Sequence, residues 1–143
     1  MCTDNKLLIK RFFGVMNAKE QVTALAELIA PDCSLNSHVV GIQGIQQLAT
    51  MMRTAFPDEQ MTIEALIVEG DTVAARLSSS ATHQGTWLSP LGAIVPAGKR
   101  VNQTGMQFFR IAKSMIVEIW ATWDLLGLLQ QLTVLSSTAH DGG

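Results

Sequence analysis

Hydrophobic positions change their spacing along this chain. Between residues 8 and 16, Leu8, Phe12, Val15 and Met16, widened by Ile9 and Phe13, return at helical intervals, with Lys6, Lys10 and Asn17 opposite. Thr3-Asp4-Asn5 offers an N-cap ahead of them. The spacing predicts a second helix from about Lys19, with Val22, Leu25, Leu28 and Ile29 inside and Pro31 as its stop. Residues 33–39 read as a short strand or an irregular edge. Ile45, Leu48, Ala49, Met52, Ala55 and Phe56 then give a clear 3.6-residue period, a third helix that stops at Pro57.

After Pro57 the period becomes two. In residues 61–68, Ile63, Ala65 and Ile67 alternate with Thr62, Glu64 and Leu66. Glu69-Gly70-Asp71 is a turn signal. In the partner strand, 72–82, Val73, Ala75 and Leu77 face one way and Arg76, Ser78 and Ser80 the other. Residues 85–100 hold Pro90, Gly92, Pro96 and Gly98 and read as a long loop, a kind that usually serves function. Two further strands, 101–111 and 115–123, flank the turn Ala112-Lys113-Ser114. Asp124 and the apolar run 125–135 follow, with a helix expected over 125–132 and a polar tail over 136–143. Helices first and antiparallel strands afterwards predict an α+β fold in one domain. A sheet curved around a long helix would leave a cup open at one end.

Composition narrows the functional classes. At 143 residues and 48% hydrophobic, the chain can bury a core without staples. Only 15% of residues are charged, which points to a covered interface or a sizeable pocket. A net charge of −2 gives no electrostatic case for nucleic acid or an anionic membrane as partner. No apolar run approaches the roughly 20 residues of a membrane span. No secretory signal is visible at the N-terminus. Cys2 and Cys33 form no disulfide framework, so reduced thiols and a cytoplasmic location are expected. His38, His83 and His140 lack metal-ligand spacing, and neither a phosphate loop nor a nucleophile elbow is present. Neither a metal nor a nucleotide is therefore expected.

The candidate chemistry lies in Trp120-Ala121-Thr122-Trp123-Asp124. With a tight turn at Lys113-Ser114, Asp124 falls opposite Gln103, and Gln107 opposite Trp120. Alternation then puts Gln103, Gly105, Gln107, Trp120, Thr122 and Asp124 on one face, and Phe108, Ile119 and Trp123 on the other. An apolar wall with few converging polar groups suits a small molecule. A sheltered Asp124 could take a proton from carbon beside a carbonyl, while the Gln103 or Gln107 amide held the developing enolate oxygen. A ketosteroid isomerase pairs an Asp base with an oxyanion hole in a similar way, a known example of this chemistry. Equally, Asp124 caps the helix after it, and the two roles can coexist. His83 stands at the pocket mouth or is structural. Trp87 is a lid or plain packing. Arg76 is expected to pair across the sheet with Glu64 or Glu118.

Several short motifs occur in a recognisable order. They are Phe56-Pro57-Asp58, the run from Val68-Glu69-Gly70-Asp71 to Arg76, Thr82-His83-Gln84-Gly85, Gly98-Lys99, Ile116-Val117-Glu118-Ile119-Trp120, Asp124 and Gln131-Leu132. In combination, over about residues 5–132, they resemble the SnoaL-like polyketide cyclases (ester cyclases) of the nuclear transport factor 2-like superfamily. The resemblance implies a cone of curved antiparallel sheet wrapped around three N-terminal helices, and a homodimer formed through the sheet's outer face. It also implies a cofactor-free interior pocket, with an aspartate, here Asp124, as general acid/base in an intramolecular aldol closure. The family often has a histidine facing the pocket at the position of His38, which otherwise is a surface or capping residue. The chain departs from the family in carrying Gln103 and Gln107 on a strand where characterised cyclases have a histidine. It also has no tyrosine. Hence the expected activity is acid/base chemistry on a small apolar carbonyl compound. A non-catalytic binding protein and an epoxide hydrolase, which needs a second carboxylate beside Asp124, are the alternatives.

Overall fold

The computed structural model describes residues 2–132, with side chains from Asp4 onward. The expected tail 136–143, the end of the apolar run, His140 and the Cys2 side chain lie outside the described residues. Helix α1, Cys2–Ala18, buries Ile9, Phe12, Phe13 and Val15, the stripe its spacing predicts. Phe12, Phe13 and Phe109 meet edge to face, with ring centres 5.0–5.9 Å apart.

The second predicted helix is not an α-helix. A 3-10 turn, Val22–Glu27, gives way directly to strand β1, Ile29–Leu35. Leu25, Leu28 and Ile29 are buried as expected, but Pro31 lies inside β1 and does not stop a helix. Its missing N–H falls where the pairing of β1 with β8, Met115–Trp123, skips from Ile29↔Ile116 to Ser34↔Glu118. The stretch 33–39, left open by its sequence, completes β1 and the two-residue β2, His38–Val39. Asn36 and Ser37 between them both take positive φ, as a two-residue hairpin turn requires. Helix α2, Gly41–Ala55, buries Ile45, Ala49 and Ala55, while Leu48 is exposed.

Strands β3 (Gln60–Glu69), β4 (Thr72–Thr82) and β7 (Arg100–Ala112) follow, and β7 turns through Lys113-Ser114 into β8. The expected long loop contains a separate hairpin, β5 (Trp87–Ser89) with β6 (Gly92–Ile94). The main sheet runs β2-β1-β8-β7-β4-β3 and is antiparallel except between β1 and β8. It curves, unclosed, around α1 and α2. Its inner face carries Val73, Ala75, Leu77, Phe109, Ile111 and Ile119. At the other end a second cluster closes the cup: Phe56, Trp87, Val101 and the leucines Leu128, Leu129 and Leu132. The first two of those leucines belong to α3, Leu125–Gln131.

Side-chain amides finish the sheet where strands run out. Gln131 bonds both the backbone N–H and the carbonyl of Asn102, at 2.7 and 2.6 Å, and so stands in for a strand beyond the end of β8. Asn17 does the same for Met61 on β3.

Candidate functional site

One extra residue decides what the last hairpin presents. Arg110 pairs with Glu118 but Ile111 pairs with Ile116, so Val117 is a bulge in β8. Every β8 side chain beyond it changes face relative to an even register. Trp120 therefore lies opposite Phe108, not Gln107, which faces Ala121. Trp123 lies opposite Gly105, and the Asp124 N–H donates to the Thr104 carbonyl, not to Gln103. The expected face is thus corrected. Gln103, Gly105 and Gln107 look inward with Ile119 and Trp123, and Trp120, Thr122 and Asp124 look outward with Phe108. Gly105 makes room for this arrangement, because a Cβ there would come within 2.4 Å of the Trp123 ring.

Asp124 does not have the expected shelter. It is exposed, and its Oδ1 accepts a hydrogen bond from the Gly127 N–H at 2.9 Å, capping α3. Gly127 is needed for this contact, since a Cβ would meet Asp124 Oδ2 at 2.2 Å. Asp124 lines two open grooves on the outer face. One, of about 420 Å³, is polar and includes Ser78, Ser80, Asn102 and Thr104. The other, of about 820 Å³, includes Met106, Phe108 and Trp120 with Glu64 and Arg76. A second carboxylate does reach this groove, but Glu64 is exposed and accepts from Ser78 Oγ at 2.6 Å. Glu118 pairs with Arg110 at 2.9 Å, a contact that lowers the Glu118 carboxyl below its usual range. Neither acid pairs with Arg76 in the way the sequence led one to expect.

The interior tells another story. A small cavity of about 10 Å³, room for roughly one water, is lined by Met52, Phe56, Glu59, Ser79, Ala81, Val101, Gln103 and Leu128. Ser79 Oγ donates to Glu59 Oε2 at 2.7 Å. Glu59 reaches this place because Pro57 ends α2 and the chain turns at once, with the Glu59 N–H bonded to the Phe56 carbonyl. The turn is pinned from both sides. Asp58 accepts from the Thr82 N–H and hydroxyl, at 2.7 and 2.8 Å, and from Arg100 at 3.0 Å. Those bonds, the Thr82 N–H foremost, hold the Asp58 carboxyl below its ordinary value. The Lys19 ammonium donates to the carbonyls of Glu59 and Met16, and desolvation pulls its pKa down.

Glu59 and Ser79 were missed in the sequence, though a signal existed. Ser79 continues the buried set Val73, Ala75 and Leu77, and a hydroxyl at such a position needs a partner. Among the residues singled out beforehand, Gln103 is brought to the cavity. His83 is fully buried and Trp87 nearly so, and both touch Phe56, with ring centres 5.3 and 5.8 Å from it. His38 stands exposed on the edge strand β2, and Gln107 is half-buried on the inner face. Cys33 is buried, and desolvation pushes its thiol up to about 11. Among the described residues no group of three potential ligands could hold a metal ion. No helix there is long and apolar enough to cross a membrane.

A curved, unclosed, mostly antiparallel sheet wrapped over N-terminal helices defines the class as a nuclear transport factor 2-like α+β cone. The comparisons with known proteins name the family within it. The chain belongs to the SnoaL-like polyketide cyclases, whose family model matches residues 7–132. AclR of Streptomyces galilaeus, a candidate hydroxylase, shares the fold with a TM-score of 0.84 and 24% identity, over 98% of this chain and 87% of that one. TsrD of Streptomyces laurentii gives 0.84 and 26% identity, over 94% and 98%. IdmH of Streptomyces antibioticus, a candidate polyketide cyclase, gives 0.77 and 24%, over 90% and 98%. Among curated proteins none matches this chain. A cyclase-type function follows from the family at that level of detail.

Proposed function

We propose that the chain closes or isomerises a small apolar carbonyl compound without a cofactor, and that the working carboxylate is Glu59 and not Asp124. The Ser79–Glu59 hydrogen bond, set in an otherwise apolar interior with the Gln103 amide across the cavity, carries this reading. Glu59 removes a proton from carbon next to a carbonyl, and the Gln103 amide donates to the enolate oxygen that forms. The enolate carbon then bonds to a second carbonyl carbon of the same molecule. The resulting alkoxide recovers the proton from the Glu59 carboxyl, so the net change is an isomerisation. Entry requires the α3 leucines or the β5–β6 hairpin to move, since the cavity has room for about one water.

The test uses 2,6-heptanedione, a small dicarbonyl, in deuterated water. Wild type is expected to exchange its α-protons, and Glu59→Gln to lose about 10²-fold or more of that rate. Asp124→Asn is expected to keep it. The reverse pattern would return the chemistry to Asp124, and an inert wild type would favour the non-catalytic binding reading.

We also infer a homodimer through the outer face. Ile67, Ala74, Phe108 and Trp120 face one another across four adjacent strands, and Met106 adjoins them. Ile67, Met106, Phe108 and Trp120 are all exposed. A two-fold contact would cover this band with its own copy. Light scattering at micromolar concentration is expected to give the dimer mass for wild type and the monomer mass for Phe108→Glu.

A further inference from the structure

We propose that Arg76 and Glu64 select the partner copy on the outer face: the Arg76 guanidinium of each protomer pairs with the partner's Glu64, twice across a two-fold axis. The proposal rests on the dimer reading above and adds the contact that fixes how the two copies sit. The groove of about 820 Å³ on this face is lined by three charged side chains, Glu64, Arg76 and Asp124. Arg76 is exposed, and among the described residues it has neither a hydrogen bond nor an ion pair. The two arginines of β7 are engaged, Arg100 with Asp58 and Arg110 with Glu118. Arg76 lies opposite Met106 and shares its face with the exposed Ile67, Phe108 and Trp120. A cation covered by a second apolar sheet loses its water and needs an anion in return.

Within one protomer the two acids of the groove are unequally placed to answer that need. Asp124 is turned toward α3, with its Oδ1 accepting from the Gly127 N–H and its Oδ2 against the same residue. Glu64 stands where the pairing of β3 slips between Ile63↔Leu77 and Ala65↔Arg76. The slip leaves its side chain exposed beside the groove. Its Oε2 accepts from Ser78 Oγ, while its Oε1 has no partner among the described residues. Glu64 is thus the carboxylate with an oxygen to give. The mixture of signs also selects the occupant. A partner of one sign would set a like charge against either Arg76 or the two acids. A second copy offers a cation and an acid where it receives them, as a two-fold contact requires. With the axis passing near Met106, each Arg76 reaches over the partner's β3–β4 margin, and the groove is completed by a residue of the other copy.

The test reverses the charges and reads dimer dissociation of the full chain by analytical ultracentrifugation. Arg76→Glu and Glu64→Arg are each expected to weaken the dimer at least about tenfold, because each sets two like-charge pairs across the axis. Both positions are exposed, so both variants are expected to keep the wild-type fold. An equimolar mixture of the two is expected to dimerise as wild type does, since every contact across the axis then joins opposite signs. Pairing inside one protomer predicts no such rescue. Asp124→Lys mixed with Arg76→Glu serves as the control and is expected to stay weak. A monomeric wild type would remove the dimer and this contact with it. A dimeric wild type whose single variants associate as tightly, a mixture that stays weak, or an equal rescue by Asp124→Lys would each overturn the Arg76–Glu64 pair and leave the dimer standing.

Discussion

Phe108 and Phe109 are neighbours in sequence and opposites in structure. Phe109 is 0% exposed, locked edge to face with Phe12 and Phe13, while Phe108 is 51% exposed in a row with Trp120. The same strands thus carry two apolar surfaces. The inner one is packed by helices α1, α2 and α3 and includes a small polar seam at Glu59, Ser79 and Gln103. The outer one ends in open grooves. Apolar character alone does not tell these faces apart; register does. The lesson for function is that an aromatic near a carboxylate marks a site only after its face is known. Trp120 and Asp124 form such a pair in sequence, yet in space they lie outside the cup.

Mutations that treat the two faces alike should give unlike results. The largest effect is expected for Phe109→Ala, about 3–5 kcal/mol in denaturant unfolding, against under about 1 kcal/mol for Phe108→Ala measured on the monomer. Equal losses would break the comparison. Asp124→Ala should cost about 1 kcal/mol through the lost cap on α3, with Asp124→Asn close to neutral because Asn caps as well. A smaller effect tests the pin beneath Glu59. The Asp58 carboxyl is depressed in the folded chain, so its contribution is present above the unfolded-chain value of about 3.9 and is lost as pH falls through the lower folded value. Its side chain is 40% exposed, so the contribution is screened and modest. Thermal melts from pH 5 to pH 3 should drop less steeply for Asp58→Asn than for wild type.

Much of the fold was legible. Helices α1 and α2, the β3–β4 and β7–β8 pairs, the Lys113-Ser114 turn and α3 all follow from spacing and punctuation, and the motif order leads to the family. The middle helix is not legible, because Leu25, Leu28 and Ile29 suit a helical stripe and equally suit a tight turn running into a strand. Pro31 then read as a helix stop when it marks a gap in strand pairing. The faces of β8 are not legible from alternation alone, because the bulge at Val117 interrupts it. The warning was present, since Ile116 and Ile119 are both apolar and three apart, which an unbroken strand cannot bury on one face. Ile63 and Leu66 on β3 repeat that signature, and the pairing shifts there as well. Glu59 escaped notice because nothing local shows that a carboxylate just after a helix stop turns inward; the Asp58 bonds to Thr82 and Arg100, distant in sequence, arrange it.

The most direct check on the division of labour between the faces uses the three tryptophans as reporters. With 5-fluorotryptophan incorporated, the fluorine NMR spectrum separates Trp87 and Trp123 on the inner side from Trp120 on the outer side. Adding 2,6-heptanedione is expected to shift Trp87 or Trp123 and leave Trp120 in place, while dilution through dimer dissociation shifts Trp120 alone. A spectrum in which the diketone moves only Trp120 would contradict the interior site and put the chemistry on the outer groove.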